Sequence, residues 1–102
     1  MTDPVTQKIE QAIKSAKVVL FVKGTPQAPQ CGFSAATMGL FQKMNVPFQS
    51  FDVIANPDLR AGVPVYSQWP TFPQVFINGQ LVGGCDIVHE MYESGELQQL
   101  LK

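Results

Sequence analysis

Apolar positions in this chain come in two kinds of run, and their order lays out the elements. Behind Asp3-Pro4, an N-cap followed by proline at the first helical position, Val5, Ile9, Ala12, Ile13 and Ala16 recur at helical spacing. The spacing predicts a first helix, with Lys14 and Lys17 suiting its C-terminal end, where cations favour the helix dipole. Val18-Val19-Leu20-Phe21-Val22 is instead unbroken and rich in β-branched residues, the pattern of a short central strand covered on both faces. After Cys31, the residues Phe33, Ala36, Leu40 and Met44 step by three, four and four. A second helix is therefore expected to run to about Met44, where Asn45-Val46-Pro47 supplies a stop.

Phe48 to Val53 can form a second strand. Since a helix lies in the connection, this strand should run parallel to the first, with a right-handed crossover. Asn56-Pro57 repeats the cap-then-proline signal for a third helix, which Gly62 and Pro64 are expected to kink or break before Trp69. Gln74 to Ile77, Asn78-Gly79 and Gln80 to Gly83 predict a hairpin closed by a type I′ turn. Asp86 is expected to cap a helix carrying Ile87, Met91 and Tyr92, closed by Ser94-Gly95, and Glu96 to Lys102 to add a last turn or two. The order is βαβ in the first half and ββα at the end: an α/β fold with a four-stranded mixed sheet flanked by helices. A Cys at a helix N-terminus after a strand, with a Pro before a later strand, makes the arrangement thioredoxin-like.

Composition narrows the function classes. A chain of 102 residues is expected to form one domain over residues 1–102. Its net charge of −1 lacks the basic excess that nucleic acid or an anionic membrane surface would favour, so neither is expected as a partner. No stretch approaches the ~20 apolar residues of a membrane span. The start, Met1-Thr2-Asp3-Pro4, lacks the basic and apolar regions of a signal peptide, and two Cys do not make a disulfide scaffold. A reducing compartment, the cytoplasm, is the expectation; a processed organelle protein would share the same sequence.

The chemistry centres on Cys31-Gly32-Phe33-Ser34. A free thiol has a pKa of about 8.5, which a helix N-terminus and a nearby cation lower by favouring the thiolate. Lys23, ending the core strand on the sheet edge that delivers Cys31, is the candidate cation. The bland alternative is a buried, inert Cys and an ordinary surface Lys; Gly32 and the loop from Gly24 to Gln30 argue against deep burial. Ser34 stands where a Cys-x-x-Cys motif would place its second thiol, and it cannot form that disulfide. It also suits a first-turn residue that bonds backbone N–H groups. Cys31 must therefore work with another molecule's thiol, a metal, or Cys85.

Three further features carry chemistry. In Trp69-Pro70-Thr71-Phe72-Pro73, the proline holds Phe72 extended, leaving its N–H and C=O to pair with an extended peptide; a tight loop around a buried Trp fits equally well. The sequence alone does not support a cis bond at Phe72–Pro73. Gly83-Gly84-Cys85-Asp86 permits close backbone approach and opens a helix whose N–H groups would bind a carboxylate, with Asp86 capping and pairing with an ammonium group. Its bland counterpart is a bulge plus an N-cap. Cys85 reads as a small core residue or as a redox partner of Cys31, His89 as a surface or partly buried residue rather than a metal ligand. Trp69 and Phe76 suit packing, and Met38 and Met44 suit core gaps. A thiol, two cations (Lys23 and Arg60), a peptide-pairing edge at Phe72 and an anion-binding helix start with an acidic residue call for a short peptide with two carboxylates, an ammonium and a thiol. Glutathione meets that description.

Lys23-Gly24-Thr25-Pro26, Cys31-Gly32-Phe33-Ser34, Asn56-Pro57-Asp58-Leu59-Arg60, Trp69-Pro70-Thr71-Phe72-Pro73-Gln74 and Gly83-Gly84-Cys85-Asp86-Ile87 span essentially the whole chain. With them the sequence resembles the monothiol glutaredoxins of the Cys-Gly-Phe-Ser type. The resemblance implies a thioredoxin-like (glutaredoxin) fold with an added N-terminal helix. It implies glutathione bound by Lys23, Arg60, the backbone of Phe72 before a cis Pro73, and Cys85-Asp86. It further implies a [2Fe–2S] cluster bridging a homodimer, ligated by Cys31 of each protomer and by the thiols of two glutathiones, for transfer to apo iron–sulfur acceptor proteins. BolA-like proteins are the partners it suggests for the surface around Tyr66 and Trp69.

The expected function is thus that of an iron–sulfur carrier. The alternative is a thiol–disulfide oxidoreductase that reduces protein–glutathione mixed disulfides with one nucleophilic thiol, a second glutathione resolving the intermediate. The inserted loop Gly24 to Gln30 favours the carrier, since it can displace a bound thiol from attack geometry.

Overall fold

The computed structural model describes residues 3–102; Met1 and Thr2, the first residues of the Met1-Thr2-Asp3-Pro4 start, lie outside them. In chain order the elements are α1 (Pro4–Ile13), β1 (Val18–Val22), α2 (Gly32–Lys43), β2 (Gln49–Asp52), α3 (Pro57–Ser67), β3 (Gln74–Ile77), β4 (Gln80–Gly83), α4 (Cys85–Ser94) and α5 (Glu96–Leu100). The unbroken apolar run of β1 lies inside the sheet, every residue buried, in the strand order β2-β1-β3-β4. It pairs parallel with β2 and antiparallel with β3, and β3 pairs antiparallel with β4. The parallel pair is the one with a helix in its connection, and the hairpin turns on Asn78 and Gly79 at φ 53° and 78°, both positive as a type I′ turn requires.

Because successive strand side chains point to opposite faces, β1 feeds two cores. Val18, Leu20 and Val22 pack with Met38, Leu40 and Phe41 of α2 and with Val88 of α4. Val19 and Phe21 pack with Ile9 and Ile13 of α1, Leu59 and Val63 of α3, and Phe76. Phe21 stacks on Phe51 at 5.6 Å between ring centroids and meets Phe76 edge-on at 5.7 Å. Burying side chains of this size contributes roughly 1.5–3 kcal/mol each. No helix among the described residues is long and apolar enough to cross a membrane.

Local signals mostly set the helix ends. Asp3 accepts the Thr6 N–H at 2.8 Å, and Gly95 closes α4 at φ 87°. Lys17 lies beyond α1 and instead donates to the Leu101 carbonyl at 2.7 Å, tying down the end of the described chain.

Two expectations are corrected. Of the kink or break expected at Gly62 and Pro64, the break does not occur: α3 continues through both and ends at Ser67, with Gln68 left-handed at φ 58°. Pro64 does remove one N–H donor from the ladder, but Leu59 and Val63 are anchored in the core. Gly62 is what lets α1 approach, since a Cβ there would stand 2.5 Å from Val5 Cγ1. Packing thus overrides local propensity. Nor does Asp86 cap α4; Gly84 holds the N-cap position, and Asp86 lies in the first turn, where its charge still suits the helix dipole.

Candidate functional site

At its C-terminal end β1 runs into Lys23 and a turn folded on itself. Gln30 N–H donates to the Lys23 carbonyl at 2.9 Å, and Thr25 and Ala28 exchange backbone hydrogen bonds at 3.2 and 3.1 Å. This turn delivers Cys31 to the N-cap of α2 in an extended conformation, with the thiol partly exposed. Ser34, on the first turn of α2, is completely buried, and its hydroxyl oxygen accepts the Lys23 N–H at 3.0 Å. The expectation that Ser34 bonds backbone N–H holds, but the N–H belongs to the end of β1, so Ser34 fastens helix to strand beneath the thiol.

Two more side chains fix the walls. Asp52, at the end of β2, accepts the Gly24 and Ile54 N–H groups, both at 2.9 Å, and these bonds hold its carboxyl below the usual carboxylate range. Gln74, at the start of β3, is buried and donates from Nε2 to the carbonyls of Trp69 and Thr71 at 2.8 and 3.2 Å. The Phe72–Pro73 bond between them is cis. Neither Asp52 nor Gln74 emerged as a site residue from the sequence. No local pattern in the sequence marks either of them, since their partners lie elsewhere in the fold or are backbone carbonyls.

These elements enclose a cleft of about 670 Å³, lined by Lys23, Cys31, Arg60, Phe72, Pro73, Cys85 and Asp86 together with Phe33 and Trp69. The structure therefore gathers all seven residues singled out from the sequence. The two glycines before α4 serve close approach within the protein, and Gly84 also lines the cleft. A Cβ on Gly83 would stand 2.8 Å from the Ile87 side chain, and one on Gly84 3.3 Å from the Pro73 carbonyl. Trp69 is half-buried and forms a wall of the cleft as well as packing. His89 is partly buried, its Nδ1 2.7 Å from the Cys85 carbonyl and 3.6 Å from Cys85 Sγ. Among the described residues no three His, Cys, Asp or Glu side chains converge to hold a metal ion.

Comparison with known proteins gives the family and the fold. The glutaredoxin family model matches residues 18–82. A Rickettsia typhi protein named "Probable monothiol glutaredoxin 2" is 51% identical over 94 residues, covering 92% of this chain and 85% of the relative. The chain belongs to the monothiol glutaredoxins. The solution structure of a monomeric truncated mutant of Trypanosoma brucei 1-C-Grx1 matches this glutaredoxin with a TM-score of 0.87 at 43% identity, covering 98% of this chain and 91% of that one. A buckwheat glutaredoxin–glutathione complex matches with a TM-score of 0.84 at 28% identity, covering 95% and 86%.

In this monothiol glutaredoxin the Cys31 thiol is held below the ordinary thiol range. The largest cause is the Ser34 N–H, partial burial opposes it, and the Phe33 N–H, the Ser34 hydroxyl and the Lys23 ammonium add to the lowering. Both causes expected from the sequence are present, and the helix N-terminus outranks the Lys23 cation. A lowered pKa leaves more thiolate at any given pH, so the pH midpoint for iodoacetamide alkylation of Cys31, read in a Cys85→Ser chain, is expected below that of the same chain unfolded in urea. Lys23→Met should move that midpoint little. A large upward shift in Lys23→Met would make the ammonium the principal cause and overturn the assignment.

Proposed function

We propose that this glutaredoxin binds glutathione in the cleft and that two protomers hold a [2Fe–2S] cluster between Cys31 of each and the thiols of two glutathiones, for delivery to apo acceptor proteins. One observation carries the proposal: Cys31 is a single, partly exposed, acidified thiol, and the side chain one turn away is a buried serine hydroxyl engaged with the Lys23 N–H. No intramolecular thiol is available at that position, so any partner thiol must come from elsewhere. A cluster of this type takes four thiolates, and one Cys31 per chain with one glutathione per cleft gives that number for a dimer.

Glutathione suits the walls. Lys23 and Arg60 offer cations for its carboxylates, Asp86 an anion for its ammonium, and the Phe72 backbone a pairing edge, all lining one cleft with Cys31. The ligand's cysteinyl part would then lie toward Cys31. Since two of the four cluster ligands are dissociable, the cluster is labile enough to be passed on. The acidified thiol also favours a second function, reduction of glutathione mixed disulfides: the Cys31 thiolate attacks the glutathionyl sulfur, the protein leaves as a thiolate that takes up a proton, and a second glutathione, as thiolate, attacks the resulting Cys31–glutathione disulfide to give glutathione disulfide and restore the Cys31 thiolate.

The test is anaerobic reconstitution with iron and sulfide, with and without glutathione. The expected result is visible cluster absorbance and a dimer by sedimentation when glutathione is present, and neither when it is omitted. A cluster formed equally well without glutathione would overturn the proposal, and rapid steady-state turnover of a glutathionylated peptide would rank the oxidoreductase first.

A further inference from the structure

We infer that Gln74 is a positioning residue for the peptide-pairing edge of the cleft, and that it sets the affinity for glutathione without touching it. The inference rests on the glutathione site proposed above. Gln74 opens β3, opposite Phe21 of the central strand, with its side chain completely buried. It does not line the cleft. Its amide reaches back along the chain and donates to the carbonyls of Trp69 and Thr71 at 2.8 and 3.2 Å. Those carbonyls flank Pro70, and Thr71 directly precedes Phe72, whose N–H and C=O form the pairing edge.

The orientation of the amide follows from its partners. Both are carbonyls, which accept and cannot donate, so the nitrogen must face them. The oxygen is then left buried with no hydrogen-bond partner. An unpaired buried acceptor opposes folding. A side chain chosen for core stability at this position would be apolar, as Val75, Phe76 and Ile77 are along the rest of β3. What Gln74 supplies that an apolar residue cannot is a pair of donors gripping the segment before Phe72 from beneath. Holding a binding edge in its bound geometry raises affinity by removing the ordering cost of association.

The decisive variant is Gln74→Met, which keeps length and approximate volume, loses both donors and removes the orphaned acceptor. Its melting temperature should equal or exceed that of the parent chain, while its dissociation constant for reduced glutathione, from an NMR titration of the whole chain, should rise roughly fivefold or more, the equivalent of about one lost hydrogen bond. Equal affinity in parent and variant overturns the inference. So does weaker binding that comes with a matching loss of thermal stability, which would make Gln74 merely structural. If the parent chain itself binds no glutathione, the proposed function fails first and takes this inference with it. If Gln74→Met does not fold, the parent chain still decides: the Gln74 side-chain amide protons should shift as glutathione is added, and their staying fixed at saturation overturns the inference.

Discussion

A Cys31→Ser chain is expected to lose both the visible absorbance of a glutathione-reconstituted cluster and all exchange with glutathione mixed disulfides, at almost no cost in stability. The two halves of this expectation have separate physical grounds. Function goes because a hydroxyl does not ionise near neutrality, and a thiolate is what both a cluster iron and a disulfide sulfur require. Stability stays because Cys31 is partly exposed at the N-cap of α2 and makes no side-chain cap hydrogen bond there. Serine is among the preferred N-cap residues, and its oxygen can accept the Ser34 N–H that now faces the sulfur. The denaturation midpoint of Cys31→Ser should therefore match or slightly exceed the parent's. Undiminished cluster absorbance in the variant would remove Cys31 as a ligand, whichever way stability moved.

Much of this arrangement is legible in the sequence because its signals are local. The run Val18 to Val22, the Asn78-Gly79 turn and the Asp3-Pro4 start each specify their element through backbone sterics or side-chain spacing within a few residues. Where the cause is distant, the sequence misleads. Gly62 and Pro64 look like a break, but Leu59 and Val63 anchor the helix in the core, and the room that Gly62 leaves is taken by Val5 on α1, more than fifty residues earlier. The candidate site divides in the same way. Cys31, Lys23, Arg60, Phe72, Pro73, Cys85 and Asp86 are visible through residue type and motif, and the fold brings them to one cleft. The residues that hold its walls are not. Asp52 reaches Gly24 across twenty-eight positions, and Ser34 reaches Lys23 across eleven. An ordinary serine, aspartate or glutamine has no local pattern announcing a tertiary hydrogen bond. The acidity of Cys31 has both causes the sequence suggests, but their weights are legible only in the structure: the conspicuous Lys23 charge contributes least, behind N–H groups that every helix start possesses.

Replacing Gly24 by alanine should damage the site more broadly than any single change to its lining short of Cys31 itself. Gly24 sits at φ 96°, and an added Cβ would stand 2.6 Å from the Ala28 carbonyl oxygen, 2.6 Å from the Gln30 nitrogen and 2.9 Å from Pro29 Cα. All three are backbone atoms, so no side chain can swing aside to make room. The left-handed conformation costs an L-residue roughly 1–2 kcal/mol before any clash is counted. Relief of the clash must open the turn that carries Gln30 and Cys31, and it strains the Gly24 N–H bond to Asp52. Gly24→Ala is thus expected to lower unfolding stability by about 1–2 kcal/mol or more, and to weaken glutathione binding and cluster yield together. Gly32 provides the contrast on the other side of Cys31: an added Cβ there meets nothing within 4 Å, and Gly32 opens α2. Alanine in a compatible conformation stabilises by about 0.4–1 kcal/mol, chiefly by restricting the unfolded chain. Opposite signs for the two glycine variants in urea denaturation are the expected result. A Gly24→Ala midpoint at or above the parent's would show that the turn tolerates a side chain and is not the rigid mount for Cys31 that its hydrogen bonds describe.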